Sequence, residues 1–390
     1  MKLYLNDLGL LCAVGNSKSE VLKRLLIGDR SGISASDSFD PTILLGQVTS
    51  ELPEIETQYG FYNCRNNQLL LAALSQIRPT VDYMINKFGN DRVGVVLGTS
   101  TSGVRNTELA LNSLSKHAKV PEQFHYKQQQ MGAGSDFLAN YLKLTGPAYT
   151  ISTACSSSGK ALASARRLIR LNLCDAVVVG GSDSLCSLTI NGFSSLKSLS
   201  TGLCKPFGLH RNGINIGEAS SLFVLSKEPS PIQLIGIGSS SDAYHFSAPD
   251  PSGKTVVTAM QHALNDAAKK PNEIDYINLH GTATILNDEM ESKAVNQLFG
   301  NKTAVSSTKG MTGHTLGAAA ALELGFCWLL LTENKNNRLI PNINDDEPDT
   351  SLAPLNLIKK EENLGRAVNM CQSNSFAFGG NNVSIIIART

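Results

Sequence analysis

Between residues 148 and 181 the chain runs strand, turn, helix, strand, and that rhythm confines it to a mixed or parallel sheet covered by helices. Ala148–Ser152 (AYTIS) reads as a short buried strand. From Ala161 to Leu171 the apolar positions are 161, 162, 165, 168 and 169, which is helical spacing. Ala176–Val179 then gives a second strand that ends in Gly180-Gly181, and Arg92–Leu97 (RVGVVL) gives one further upstream. A break falls at Lys227–Pro231 (KEPSP), between the strand-like runs Ser221–Leu225 and Ile232–Ile237. Beyond it the order recurs: a helix near Val256–Lys269, a strand at Tyr276–Leu279, a long helix from Thr315 and a last strand at Val383–Ala388. No residue-level repeat accompanies the recurrence. The pattern predicts two related halves, residues 1–228 and 229–390, with the polar stretch Asn342–Leu352 as a surface loop.

Charge and composition exclude several classes. Lys+Arg is 34 against Asp+Glu 33, a balance that argues against a polyanion such as a nucleic acid as the main partner. The amino-terminal stretch carries Asn6 and Asp7 within its apolar residues and reads as strand and turn, not as a signal peptide. The apolar run from Thr315 to Leu331 contains Glu323 and falls short of a membrane span, so no membrane insertion is expected. With no export signal, eight cysteines (12, 64, 155, 174, 186, 204, 327 and 371) and no CxxC pair among them, the expected compartment is the reducing cytoplasm, with no structural zinc. Asp288 and Glu291 lie three apart on a helix; a structural role is expected for them, and no metal.

Of the eight cysteines, Cys155 has the chemical neighbourhood. Thr153-Ala154-Cys155-Ser156-Ser157-Ser158-Gly159 joins a strand to a helix, where unpaired N–H groups and the positive end of the helix dipole favour a thiolate. Small neighbours let an acyl thioester approach, and the N–H of Cys155 itself is a candidate oxyanion donor. The competing reading is a buried cysteine in a tight turn. Histidine is the natural partner for such a sulfur. His117, His125, His210, His245 and His262 lie among polar or mixed residues and read as incidental. His280 closes the apolar strand Tyr276–Leu279, where α/β enzymes gather catalytic groups, and His314 lies in the glycine-punctuated segment Ser307–His314.

Taken together, TACSSSG at Cys155, HGTAT at His280, STKGMTGHTLGAA over Lys309 and His314, and NSFAFGGNN from Asn374 to Asn382 resemble the elongating β-ketoacyl-acyl-carrier-protein synthases (synthase I/II-like) of the thiolase superfamily. The motifs stand in family order along the whole chain. The resemblance implies a thiolase-like five-layered αβαβα fold of two halves and a dimer. It implies decarboxylative condensation of a malonyl-carrier with an acyl group held on Cys155. His280 and His314 would handle the extender thioester, and Lys309 would organise the site. Glu323 matches an acid behind the site, and Phe378 matches a gating residue whose N–H is an oxyanion donor. Thr282 and Thr284 match the pair that binds the phosphopantetheine arm. No cofactor is implied beyond that arm on the acyl carrier protein.

Two features depart from the family pattern. Gly208 and Asn212 stand where Lys205–Gly213 would usually carry aspartates, which points away from housekeeping fatty-acid synthesis. Tyr62–Asn67, usually rich in basic residues, has only Arg65; a thin carrier-docking patch of Arg65, Lys127 and Lys205 is expected, or a partner subunit that supplies the rest. In relatives the segment at Thr99–Ser102 lines the acyl pocket, and its small polar residues are compatible with an unsaturated or aryl-capped polyene chain. Two alternatives compete. A thiolase acting on coenzyme A esters would need a second cysteine in the carboxy-terminal glycine loop, where Phe378-Gly379-Gly380 stands and Cys371 lies upstream. A silent chain-length-factor-like subunit would lack Cys155, so this chain is expected as a homodimer or as the active member of such a heterodimer.

Overall fold

A computed structural model describes residues 1–345, 347 and 349–390; Asp346 and Pro348, inside the expected loop 342–352, lie outside the described residues. Ten main strands form in chain order: β1 (Tyr4–Cys12), β2 (Val93–Gly98), β3 (Ala148–Ile151), β4 (Ala176–Asp183), β5 (Ala219–Ser226), β6 (Ile232–Ser241), β7 (Tyr276–Asn278), β8 (Ala304–Ser306), β9 (Met370–Phe376) and β10 (Asn381–Arg389). The main helices are α1 (Arg65–Phe88), α2 (Val104–His117), α3 (Ala133–Tyr141), α4 (Ser157–Arg170), α5 (Ser187–Ser195), α6 (Lys254–Ala267), α7 (Ile285–Phe299) and α8 (Ala319–Thr332).

Strand order exposes the repeat that the residues hide. The first sheet runs β1-β5-β4-β2-β3 and the second β6-β10-β9-β7-β8, with Asn356–Leu357 added at the outer edge. Numbered within its own half, each is first, fifth, fourth, second, third. Pairing directions match as well: antiparallel twice, then parallel twice, in both halves. The halves meet edge to edge where Tyr4 pairs with Gln233.

Helices α4 and α8 follow the third strand of each half and pack against each other between the sheets. Helices α1 and α3 cover the outer face of one sheet, and α6 covers that of the other with α7 packed against it. The result is five layers. Central position explains the composition of α8: every residue from Ala319 to Leu331 is buried, so it has no polar face. Each fully buried leucine there contributes about 1.5–3 kcal/mol, while the lone acid Glu323 needs a counter-charge. Among the described residues no helix is long and apolar enough to cross a membrane.

Candidate active site

The two central helices put the reactive groups together. Cys155 sits at the turn from β3 into α4, and His314 at the equivalent turn from β8 towards α8, so the same junction of each half supplies one group. His280 follows β7 at its carboxy-terminal end. Ala154 before the sulfur is held at φ 52°, a left-handed backbone that a non-glycine residue adopts only under constraint. Cys155, His280 and His314 are buried, and their Sγ and ring nitrogens all lie within 4.8 Å of one another.

Hydrogen bonds fix the tautomer of both rings. The Leu316 N–H donates to Nδ1 of His314 (3.3 Å), which leaves the ring proton on Nε2, 2.9 Å from Cys155 Sγ. Lys309 Nζ stands 3.4 Å from Nδ1 of His280 and donates to the His280 carbonyl at 2.6 Å, so this ring also carries its proton on Nε2. Both imidazoles are therefore donors towards the cavity. Burial, with Lys309 adding to it, holds both well below the ordinary histidine range, so both are neutral at pH 7. The 2.9 Å N–S separation is a hydrogen bond; two ligands on one tetrahedral zinc would stand about 3.6 Å apart.

The sulfur departs from the sequence expectation. Burial pushes the Cys155 thiol up to about 11, outweighing Lys309 and the N–H groups of Phe378 and Cys155 that point at it and pull it down. A desolvated site prefers the neutral thiol, and the helix terminus does not reverse this. Alkylation of Cys155 by iodoacetamide, followed by peptide mass, should climb about tenfold per pH unit up to about pH 10. A plateau below about pH 8 would mean that the thiolate pre-exists.

Behind the rings, Lys309 is 1% exposed and forms a buried ion pair with Glu323 on α8. Burial lifts the Glu323 carboxyl to about 7 even with the lysine beside it. Glu291 on α7 accepts the N–H groups of His280 (2.8 Å) and Gly281 (2.7 Å) and so holds the histidine turn in place. Asp288 likewise accepts from Phe207 and Ala283. The acids at 288 and 291 are therefore backbone anchors. Phe378 lies in the turn from β9 to β10, half-exposed over the site, with its ring 5.6 Å from that of Phe193. The next two residues have φ of 80° and 77°, and a Cβ on Gly380 would meet Asp242 at 2.8 Å, so glycine is required there. Thr282 and Thr284 bond each other through their hydroxyls (2.9 Å) and line the cavity of about 260 Å³ that opens over Cys155.

These features place the chain among known proteins. The beta-ketoacyl synthase N-terminal domain model matches residues 65–230 and the C-terminal domain model residues 233–344. The chain belongs to the beta-ketoacyl synthase family. The synthase is 30% identical to 3-oxoacyl-[acyl-carrier-protein] synthase 2 of Coxiella burnetii, across 100% of this chain and 98% of that one. It is 29% identical to nodulation protein E of Rhizobium leguminosarum bv. trifolii, over 98% of this chain and 97% of the relative. Among solved structures it matches the ketosynthase ApeO in complex with its chain length factor ApeC from Xenorhabdus doucetiae. That match has a TM-score of 0.95 and 46% identity and covers 100% of this chain and 98% of the other.

In this synthase some expected positions serve other ends. Arg65 is committed inward: its guanidinium takes both oxygens of the buried Glu218 (2.8 and 2.6 Å) and the Val48 carbonyl. Lys205 lies 3.7 Å from Asp345. Of the expected docking trio, Lys127 alone remains an exposed cation outside an ion pair among the described residues. Asp345 also explains Gly208, because its Oδ1 lies 2.6 Å from where a Cβ there would be; the carboxylate lost at 208 returns from a distant loop. Thr99 and Thr101 give their hydroxyls to Asp183, which also accepts the N–H groups of Ser100, Thr101 and Gly317, and they do not line the Cys155 cavity. Sequence reasoning missed Asp183, Phe193 and Lys197. The signal available for Asp183 was an acid directly after the apolar strand and its glycine pair.

Proposed function

We propose that this chain condenses a malonyl unit with an acyl chain, both delivered on the phosphopantetheine of an acyl carrier protein, by decarboxylative Claisen chemistry. The observation that carries the reading is the pair of Nε2–H donors converging beside a nucleophilic sulfur. In the first step Sγ attacks the acyl carbon of the carrier thioester, the bond from that carbon to the pantetheine sulfur breaks, and the thiol proton ends on the departing sulfur. The oxyanion forms against the N–H groups of Cys155 and Phe378. In the second step the malonyl C–C bond breaks, CO2 leaves, and the electron pair becomes an enolate. Its oxygen accepts from His280 and His314. The enolate carbon then attacks the acyl carbon, the C–Sγ bond breaks, and the sulfur regains a proton from solvent. Lys309 holds His280 by its carbonyl and Nδ1. Thr282 and Thr284 are placed to bond the arm as it passes.

The 3-oxoacyl-[acyl-carrier-protein] synthase relative supports the reaction class. The likeness to a ketosynthase solved with its chain length factor supports a heterodimer with such a factor over a homodimer, and on that ground we assign the chain to polyketide or aryl-polyene assembly rather than to fatty-acid synthesis. The molecular surface supports a dimer of either kind. Strand β3 is an open sheet edge, and α2 buries only Ala110 of its own residues while Leu109, Leu111 and Leu114 are exposed. We place the chain in the cytoplasm, with its substrates' carrier.

Intact-protein mass tests the reaction. Incubated with an acyl-carrier, the wild type should gain one acyl mass and Cys155→Ala none. A C–C product from Cys155→Ala would overturn the mechanism. Cys155→Gln should keep malonyl decarboxylation and lose condensation.

A further inference from the structure

The mouth of the Cys155 cavity carries apolar side chains left exposed among the described residues. Leu196, Ile285 and Leu286 line the opening and are 43%, 55% and 54% exposed. Phe246, 67% exposed, directly precedes Ser247 of the cavity lining, and its carbonyl accepts the Gly379 N–H of the turn over the sulfur at 2.8 Å. These residues come from three segments: the end of α5, the loop after β6 and the first turn of α7. Isolated exposed aliphatics are ordinary, but several gathered around one opening mark a contact surface. Charge at the same rim is thin. Among the described residues Lys197 is the only lysine or arginine lining the cavity, and Asp242, the only acid among them, is engaged by Asn382 and Thr255. Arg65 and Lys205, which would have made a basic approach, are held by Glu218 and Asp345.

The opening is also the route to Cys155, so a protein that delivers a tethered thioester lays its own surface around this rim while the arm is inside. That continuity selects the occupant. We propose that Leu196, Phe246, Ile285 and Leu286 form the docking collar for a carrier protein that presents an apolar surface beside its prosthetic arm, and that apolar contact, not charge, carries the docking. The inference rests on the condensing function above and adds how the partner is recognised. Half-exposed aliphatics that become covered bind with weak salt dependence, whereas a basic patch loses its grip as ions screen it.

The experiment compares two malonyl donors on the synthase with its natural partner subunit: the cognate malonyl-carrier and a small malonyl thioester that lacks the protein. In the double variant Ile285→Ser, Leu286→Ser, KM for the malonyl-carrier should rise about tenfold or more, and KM for the small thioester by less than about threefold. For the wild type, raising NaCl from about 50 to about 500 mM should move the carrier KM by less than about threefold. Turnover of the small thioester confirms that the variant is folded. Three outcomes overturn the proposal. KM for both donors could rise alike. Lys197→Glu could raise the carrier KM more than the double variant, with a steep salt dependence in the wild type. The double variant could change the association state and leave the carrier KM as it was, which would make the collar a subunit contact. If the wild type condensed neither donor, the function itself would fall, and the docking with it.

Discussion

His314→Ala should slow malonyl decarboxylation by about a hundred- to a thousandfold and leave acyl loading of Cys155 nearly intact. The asymmetry follows from the hydrogen bonds. With Nδ1 occupied by the Leu316 N–H, the ring offers a proton at Nε2 and no lone pair to take one from the sulfur. It can stabilise an enolate oxygen but is not set up as a base for the thiol. His280→Ala should behave alike, and the double variant should cost less than the product of the two, because both donors serve one oxygen. The pH dependence separates the steps further. Both imidazoles are held well below their usual range, so protonation sets in only under acid conditions. Decarboxylation should therefore be flat from about pH 6 to about pH 8, where acyl loading still rises with the thiolate fraction. A decarboxylation rate that halves near the ordinary histidine pKa, or loss of loading with His314→Ala, would contradict the tautomer assignment.

The chemistry of the site was legible because its groups sit in short motifs with their own backbone context. Most strands were legible because they are buried runs, and eight of the ten match or extend an expected apolar run, β8 and β9 being the exceptions. What did not show was anything set by contacts between distant residues. Helix α1 was hidden by Pro79 in its interior and by the polar Arg65-Asn66-Asn67 at its start. A basic residue at 65 looked like a docking group because only the folded chain places Glu218 opposite it. The same holds for Thr99 and Thr101, whose hydroxyls face Asp183 and not the substrate cavity. Cys155 shows the limit from another side. The strand-to-helix turn puts the sulfur beside both histidines, yet the thiol's resting state is decided by how completely the folded chain buries it. The repeat itself was legible in element order and invisible in residues, since two sheets of identical topology need only the same alternation of burial, not the same side chains.

The largest effect on stability is expected at the buried pair behind the rings. Glu323→Leu leaves the Lys309 ammonium, 1% exposed, with only the His280 carbonyl and ring nitrogen as acceptors, and should cost about 3–5 kcal/mol in urea unfolding. Lys309→Met should cost less, about 1–2 kcal/mol near neutral pH, because the partner left behind can escape its charge. Glu323 already titrates at about 7 with the lysine present; without it, burial acts unopposed and drives the carboxyl higher, so the acid stays neutral. The sign is fixed by that raised value. A carboxyl bound more tightly to its proton in the folded chain contributes stability that is complete at low pH and is lost as pH climbs from the unfolded value to the folded one. The cost of Lys309→Met should therefore grow with rising pH, while Glu323→Leu, stripped of the carboxyl whose raised value costs the wild type stability as pH climbs, should show the opposite trend. Lys309→Met should also lose decarboxylation, since it frees the Nδ1 side of His280, whereas Glu323→Leu keeps Lys309 on that ring and should retain most of it. Equal destabilisation by the two at pH 7, with parallel pH profiles, would mean that the pair is a surface-like bridge and not the buried support on which the His280 tautomer rests.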